Sequence, residues 1–188
     1  MISVIRNRRV GDHRGWFAET FSQRRLEAAG ISAHFVQDNH SLSRIVGTLR
    51  GLHFQTPPFA QDKLVRCLRG RILDVFVDVR RGSPSYGKWG SIELSSERDE
   101  QVLIPRGYAH GFLTLEPDSE IVYKVSDFYA PHNDGGLRWN DPDIGIAWPS
   151  QVDPGLMSEK DTKLPLLRDF DSPFPYDGNP LEIGVLEP

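Results

Sequence analysis

The sequence predicts an all-β sandwich or barrel carrying a few short peripheral helices. From residue 63 onward, short apolar-rich runs alternate with turn signals at close spacing, the mark of many short strands. Within residues 71 to 80 the odd positions Leu73, Val75, Val77 and Val79 are all aliphatic, while the even positions carry Asp74, Phe76, Asp78 and Arg80. That period of two gives one apolar and one mixed face. Only residues 22 to 30 carry a good helix signal in the first three quarters of the chain, with Ser22 as N-cap and Gly30 as stop. That helix is too short to stand alone and must dock on something larger.

In chain order, residues 1 to 10 alternate like a strand. Gly11 and Gly15 then mark a turn, with Arg14, Trp16, Phe17 and Glu19 around it. The stretch reads equally as a loop plugging aromatics into the core or as a charged, aromatic edge that touches a ligand. Residues 35 to 41 form a short extended piece whose polar run Gln37, Asp38, Asn39 and His40 suits a solvated turn or a polar pocket. Residues 48 to 55 are extended, because Pro57 and Pro58 rule out a helix there. Further strands are expected at 64–69, 71–80, 87–94, 101–104, 109–115 and 120–128. From about residue 130 the chain turns rich in Pro, Gly, Asp and Asn, with Trp139 and Trp148 as anchors, and Ser158 opens a short helix that ends before Pro165. The tail from 171 is expected to be loosely held. One domain over residues 1–188 with a C-terminal arm from about 130 is the economical organisation, without internal repeats.

Composition narrows the function. The 188 residues are 38% hydrophobic and 26% charged with a net charge of -4, an ordinary globular balance with no electrostatic footprint for nucleic acid. No run approaches the ~20 apolar residues of a membrane span, and the N-terminus lacks the apolar core of a signal peptide. Cys67 is the single cysteine, so there is no intrachain disulfide and no cysteine-based metal site, and a reducing cytoplasm is expected.

The richest stretch is Arg50-Gly51-Leu52-His53-Phe54-Gln55. A metal-binding barrel would show His-x-His here; glutamine at the second position is a poor ligand, so no catalytic metal is expected. No nucleophile elbow, phosphate loop or dinucleotide fingerprint appears. General acid–base chemistry remains, with His53 as the natural base. A carboxylate should hold its ring, and the residues alone leave Asp74, Asp78, Asp141 and Asp161 open. Tyr123 is a proton donor or simply a buried structural tyrosine. Arg50 lies three residues before His53, so a bend at Gly51 is needed if both face one ligand.

Seven segments in this order resemble the dTDP-4-dehydrorhamnose 3,5-epimerase family. They are Asp12-His13-Arg14-Gly15-Trp16-Phe17-Ala18-Glu19, Phe35-Val36-Gln37-Asp38-Asn39-His40-Ser41, the His53 stretch, residues 74–80, Ile104-Pro105-Arg106-Gly107-Tyr108-Ala109-His110-Gly111-Phe112, Trp139-Asn140-Asp141-Pro142 and Ser158-Glu159-Lys160-Asp161. The resemblance implies a cupin-like jelly-roll barrel that needs no cofactor and forms a homodimer. It implies His53 as base, Asp161 as its carboxylate and Tyr123 as acid on the opposite face of the sugar. Lys63 and His110 would lie near the sugar. Arg14, Glu19, Gln37, Asp38, Asn39, Arg50, Asp134 and Lys160 would contact the nucleotide diphosphate sugar, with the Arg14 to Glu19 stretch supplied by the neighbouring chain. Asp134 stands where the family is expected to carry glutamate. The implied reaction is epimerisation of dTDP-4-dehydro-6-deoxy-D-glucose at C3 and C5 through an enolate, giving dTDP-4-dehydro-L-rhamnose. The alternatives are an epimerase working at one carbon only, a barrel that merely binds a nucleotide sugar, and a metal-dependent cupin; the acid opposite a base speaks against the second and Gln55 against the third.

Overall fold

The computed structural model describes residues 1–187. One sheet holds six strands. In spatial order they are β13 (Ile183–Leu186), β1 (Ile2–Arg6), β9 (Glu100–Ile104), β6 (Lys63–Arg69), β11 (Ser119–Val125) and β4 (Gln37–Ser43). A second sheet orders β12 (Asp134–Gly136), β5 (Leu49–Gln55), β10 (Tyr108–Thr114), β7 (Arg71–Asp78) and β8 (Trp89–Ser95). β2 (Val10–Asp12) and β3 (Gly15–Phe17) form a separate hairpin. The helices are α1 (Gln23–Ala28) and α2 (Glu159–Thr162). The architecture is a cupin-like jelly roll, because each sheet turns one face inward and the two inner faces share a core.

That core joins Ile2, Val65, Cys67, Val102 and Ile121 of the first sheet to Ile72, Phe76, Leu94, Tyr108 and Phe112 of the second. The period of two in β7 is observed, and its faces have distinct jobs. Even positions point between the sheets. The aliphatic odd positions Val75, Val77 and Val79 point outward and are buried, with Leu52, Phe54 and Ala109, under Leu137, Ile144 and Phe174 of the C-terminal arm. Each large aliphatic or aromatic side chain so buried contributes about 1.5–3 kcal/mol. On the first sheet, Leu26 of α1 covers Ile5, Leu64 and Leu103.

The loosely held tail is corrected. Arg80 is almost fully buried and pairs with Asp78 at 2.7 Å and with Asp177 of the tail at 2.7 Å. It also donates to the Asn179 carbonyl at 2.8 Å. A buried guanidinium must have such partners, so it clamps the tail, and β13 then pairs in parallel with β1. Composition shows the prolines and glycines of this segment but not the buried cation that it satisfies. Two smaller corrections concern strand ends. Residues 1 to 10 split into β1 and β2, and the turn after them is the β2–β3 hairpin. β11 stops at Val125. Among the described residues no helix is long and apolar enough to cross a membrane.

Candidate active site

The inner face of β5 and the inner face of β11 are opposite walls of one cavity. His53 stands on β5, Tyr123 on β11, and both line a space of about 460 Å³ together with Arg50, Lys63, His110, Lys160 and Asp161. An adjoining cavity of about 260 Å³ shares His53, Lys63, Tyr123 and Lys160 and adds Gln37, Asn39, Tyr129 and Asp134.

Arg50 reaches the same wall as His53 through a bulge. In the β5–β10 ladder His53 faces His110 and Arg50 faces Phe112, so three steps on β5 match two on β10. The extra residue resets the alternation. Gly51 makes it feasible: its φ is +124°, and a Cβ there would lie 2.6 Å from the Gly111 Cα.

Of the four aspartates left open by the sequence, Asp161 takes His53. Its Oδ1 lies 2.7 Å from His53 Nε2, and its Oδ2 accepts the Gly51 N–H at 3.2 Å. Burial would raise the Asp161 pKa, but the hydrogen bond and charge of His53, the Gly51 amide and Ser158 bring it below its ordinary value. An ionised carboxylate only accepts, so Nε2 of His53 carries the proton and Nδ1 is left as the basic nitrogen. Ser158 caps α2 by accepting the Asp161 N–H at 3.1 Å and so sets where the carboxylate stands. Asp78 holds Arg80. Asp141 accepts the Asp143 amide at 2.7 Å and that of Leu167, folding the arm. Asp74 pairs with His110, at 2.8 Å.

Burial also tunes the other groups. It lowers Lys63 to about 8, against the pull of Asp74 and Asp134 and with a push from Lys160. The Lys63 ammonium donates to the His53 carbonyl at 3.2 Å. Burial raises the Tyr123 phenol, opposed by Arg50, so it stays protonated at neutral pH. Burial lowers His110, opposed by Asp74. Asp134, where glutamate was expected, bonds Lys160 and accepts from the Tyr129 hydroxyl at 3.1 Å.

Three expected residues stand elsewhere within the chain. Alternation on β4 turns Asp38 away from Gln37 and Asn39 and toward Lys124, at 2.8 Å. Arg14 pairs with Asp12 on the exposed β2–β3 hairpin, and Glu19 lies 3.7 Å from Arg25. Tyr129, Thr48, Phe112 and Met157 line the cavities without having been singled out. Tyr129 had a readable signal, an aromatic pair with Phe128 in a polar loop. Gln55 is committed to structure: its amide donates to the Phe59 and Phe128 carbonyls at 2.7 and 3.1 Å and accepts from Ala130 at 2.8 Å. Among the described residues no three His, Cys, Asp or Glu side chains gather as a metal-binding group.

The dTDP-4-dehydrorhamnose 3,5-epimerase family model matches residues 2–169. This chain belongs to that family. The Sinorhizobium fredii dTDP-4-dehydrorhamnose 3,5-epimerase is 50% identical over 175 residues, covering 93% of this chain and 89% of the relative. A solved Legionella pneumophila dTDP-6-deoxy-D-glucose-3,5-epimerase, in complex with dTDP-4-keto-L-rhamnose, is 39% identical with a TM-score of 0.82, covering 91% of this chain and 95% of the other. A Streptomyces bikiniensis 3'-monoepimerase in complex with dTDP-quinovose is 37% identical with a TM-score of 0.81, covering 88% and 83%. Like the 3,5-epimerases it belongs with, the chain is an isomerase acting on carbohydrates.

Proposed function

We propose that this epimerase inverts C3 and C5 of dTDP-4-dehydro-6-deoxy-D-glucose with His53 as base, Tyr123 as acid and Lys63 as the stabilising cation. The observation that carries this reading is a carboxylate-held imidazole on one wall of a cavity, a protonated phenol on the opposite wall and a buried ammonium that lines the same cavity and donates to the His53 carbonyl. The 4-keto group acidifies the protons on C3 and C5. His53 removes one, and Asp161 stabilises the imidazolium that forms. The electron pair moves onto O4 as an enolate, which Lys63 stabilises in a water-poor site. Tyr123 then protonates the carbon from the other face, and the centre inverts. His53 returns its proton to solvent and Tyr123 regains one, so no oxidant or reductant is consumed. C3 and C5 flank the same carbonyl, so the same pair serves each carbon in turn. Arg50 and Lys160 bring positive charge for a diphosphate, while Gln37 and Asn39 offer amides to the rest of the nucleotide. A cytoplasmic setting is in keeping with a lone buried thiol.

Proton NMR of the purified protein with this substrate in heavy water tests the reading. Deuterium is expected at both C3 and C5 of dTDP-4-dehydro-L-rhamnose. Label at one carbon would mean a single-site epimerase, and label at neither would discard the acid–base assignment.

The working unit we propose is a homodimer in which Arg14 and Glu19 of one copy complete the cavity of the other. Val10, Trp16 and Phe17 of the β2–β3 hairpin are all more than half exposed, an apolar patch suited to a second copy. Mixing His53→Ala with Arg14→Ala under subunit exchange should restore activity in about a quarter of the sites, since only mixed dimers pair intact residues. A mixture no more active than its components would place Arg14 outside a shared site.

A further inference from the structure

We propose that Asp74 is a positioning residue of this site: from behind the cavity wall it holds His110 and supplies the negative charge that keeps Lys63 an ammonium. The proposal rests on the reading of Lys63 as the cation that stabilises the enolate.

Asp74 lies on the inner face of β7 and is fully buried. Its Oδ2 stands 2.8 Å from Nε2 of His110, which does line the cavity. Its Oδ1 is buried and has no hydrogen-bond partner among the described residues. A buried carboxylate with an idle oxygen is costly unless a cation offsets its charge. Among the described residues Asp74 has no arginine or lysine within salt-bridge distance, whereas Lys63 of β6 is a buried ammonium whose charge Asp74 favours.

The groups facing Lys63 sort by sign. Asp74 from β7 and Asp134 from β12 favour its charge, and Lys160 of α2 opposes it. Asp134 is already engaged by Lys160 and by the Tyr129 hydroxyl. His53 of β5, His110 of β10 and Tyr123 of β11 also line the cavity, and Arg50 lies beside Tyr123. Asp74 is therefore the anion not already spent on another cation. Burial alone pulls Lys63 downward, and Asp74 is first among the groups that hold it up at about 8. The sign follows. Lys63 is charged below that value and neutral above it, so activity that needs the ammonium persists below about pH 8 and falls above it. Without Asp74 the fall comes at lower pH. The same carboxylate accepts from His110 Nε2, which leaves Nδ1 of that ring to accept from a substrate hydroxyl.

The test is kcat/KM against pH, from about pH 6 to about pH 10, for wild type, Asp74→Asn, Asp74→Ser, Asp74→Glu and Lys63→Met. Wild type should lose activity above about pH 8. In Asp74→Asn the alkaline limb should move at least about one unit toward acid, a loss of about fivefold or more at pH 8 that approaches tenfold at higher pH, with KM little changed. Asp74→Glu should restore the limb in part. Asp74→Ser makes the same charge change in a smaller side chain, so an unfolded asparagine variant leaves the question decided by serine. A purely structural role would lower activity equally at every pH. Impaired Lys63→Met together with a wild-type limb in the neutral Asp74 variants would overturn the proposal. A fully active Lys63→Met would instead remove the Lys63 reading, and the proposal with it.

Discussion

His53→Ala is expected to lower kcat by about 10³ to 10⁴-fold and to abolish deuterium incorporation at both carbons. The size of the effect follows from the site. His53 is the ring whose Nε2 is tied to Asp161 at 2.7 Å, leaving Nδ1 basic. Among the other cavity groups, the Lys63 ammonium and the Tyr123 phenol are protonated at neutral pH, and His110 is committed to Asp74. No second base stands ready to take over. The side chain is about one-third exposed, so its removal leaves a water-accessible space and the melting temperature should barely move. Residual deuterium exchange near the wild-type rate would show that another group abstracts the proton.

Tyr123→Phe is expected to separate exchange from inversion. The variant keeps the ring that packs against the barrel core and removes only the hydroxyl. His53 still abstracts the proton and returns a deuteron from the same side, so label enters the substrate with its configuration retained. Inverted product should fall by about 10² to 10⁴-fold. The physical basis is that β5 and β11 belong to different sheets, which puts base and acid on opposing walls. Product inverted at the wild-type rate would identify water or another side chain as the acid. Equal loss of exchange and inversion would instead assign Tyr123 to holding the substrate.

Several residues of this site were legible in the sequence. His53 stood out because Pro57 and Pro58 excluded a helix and Gln55 spoke against a metal pair. The absence of a phosphate loop and a nucleophile elbow left proton transfer as the remaining chemistry. The capping pattern Ser158-x-x-Asp161 marked the turn that delivers the carboxylate, although periodicity offered three other aspartates with equal standing. Family resemblance chose among them, and the geometry of Asp161 agrees: it alone of the four contacts His53.

The chain by itself determined the elements: strands of period two, turns at glycine and proline, one short early helix, and the residue types of the cavity. Only the tertiary structure decided which face each strand turns inward. In β7 the aliphatic face looks like the core, yet it lies under the C-terminal arm, and the mixed face carrying Asp74, Phe76 and Asp78 points between the sheets. Alternation states that two faces differ, but a strand covered on both sides has no solvent face to fix their order. Likewise the bulge at Gly51 that aligns Arg50 with His53, and the clamp of Arg80 on Asp177, depend on partners 60 and 97 residues away in sequence, Gly111 and Asp177. Local propensity carries no information about contacts of that range, because they form only once the sheets have closed.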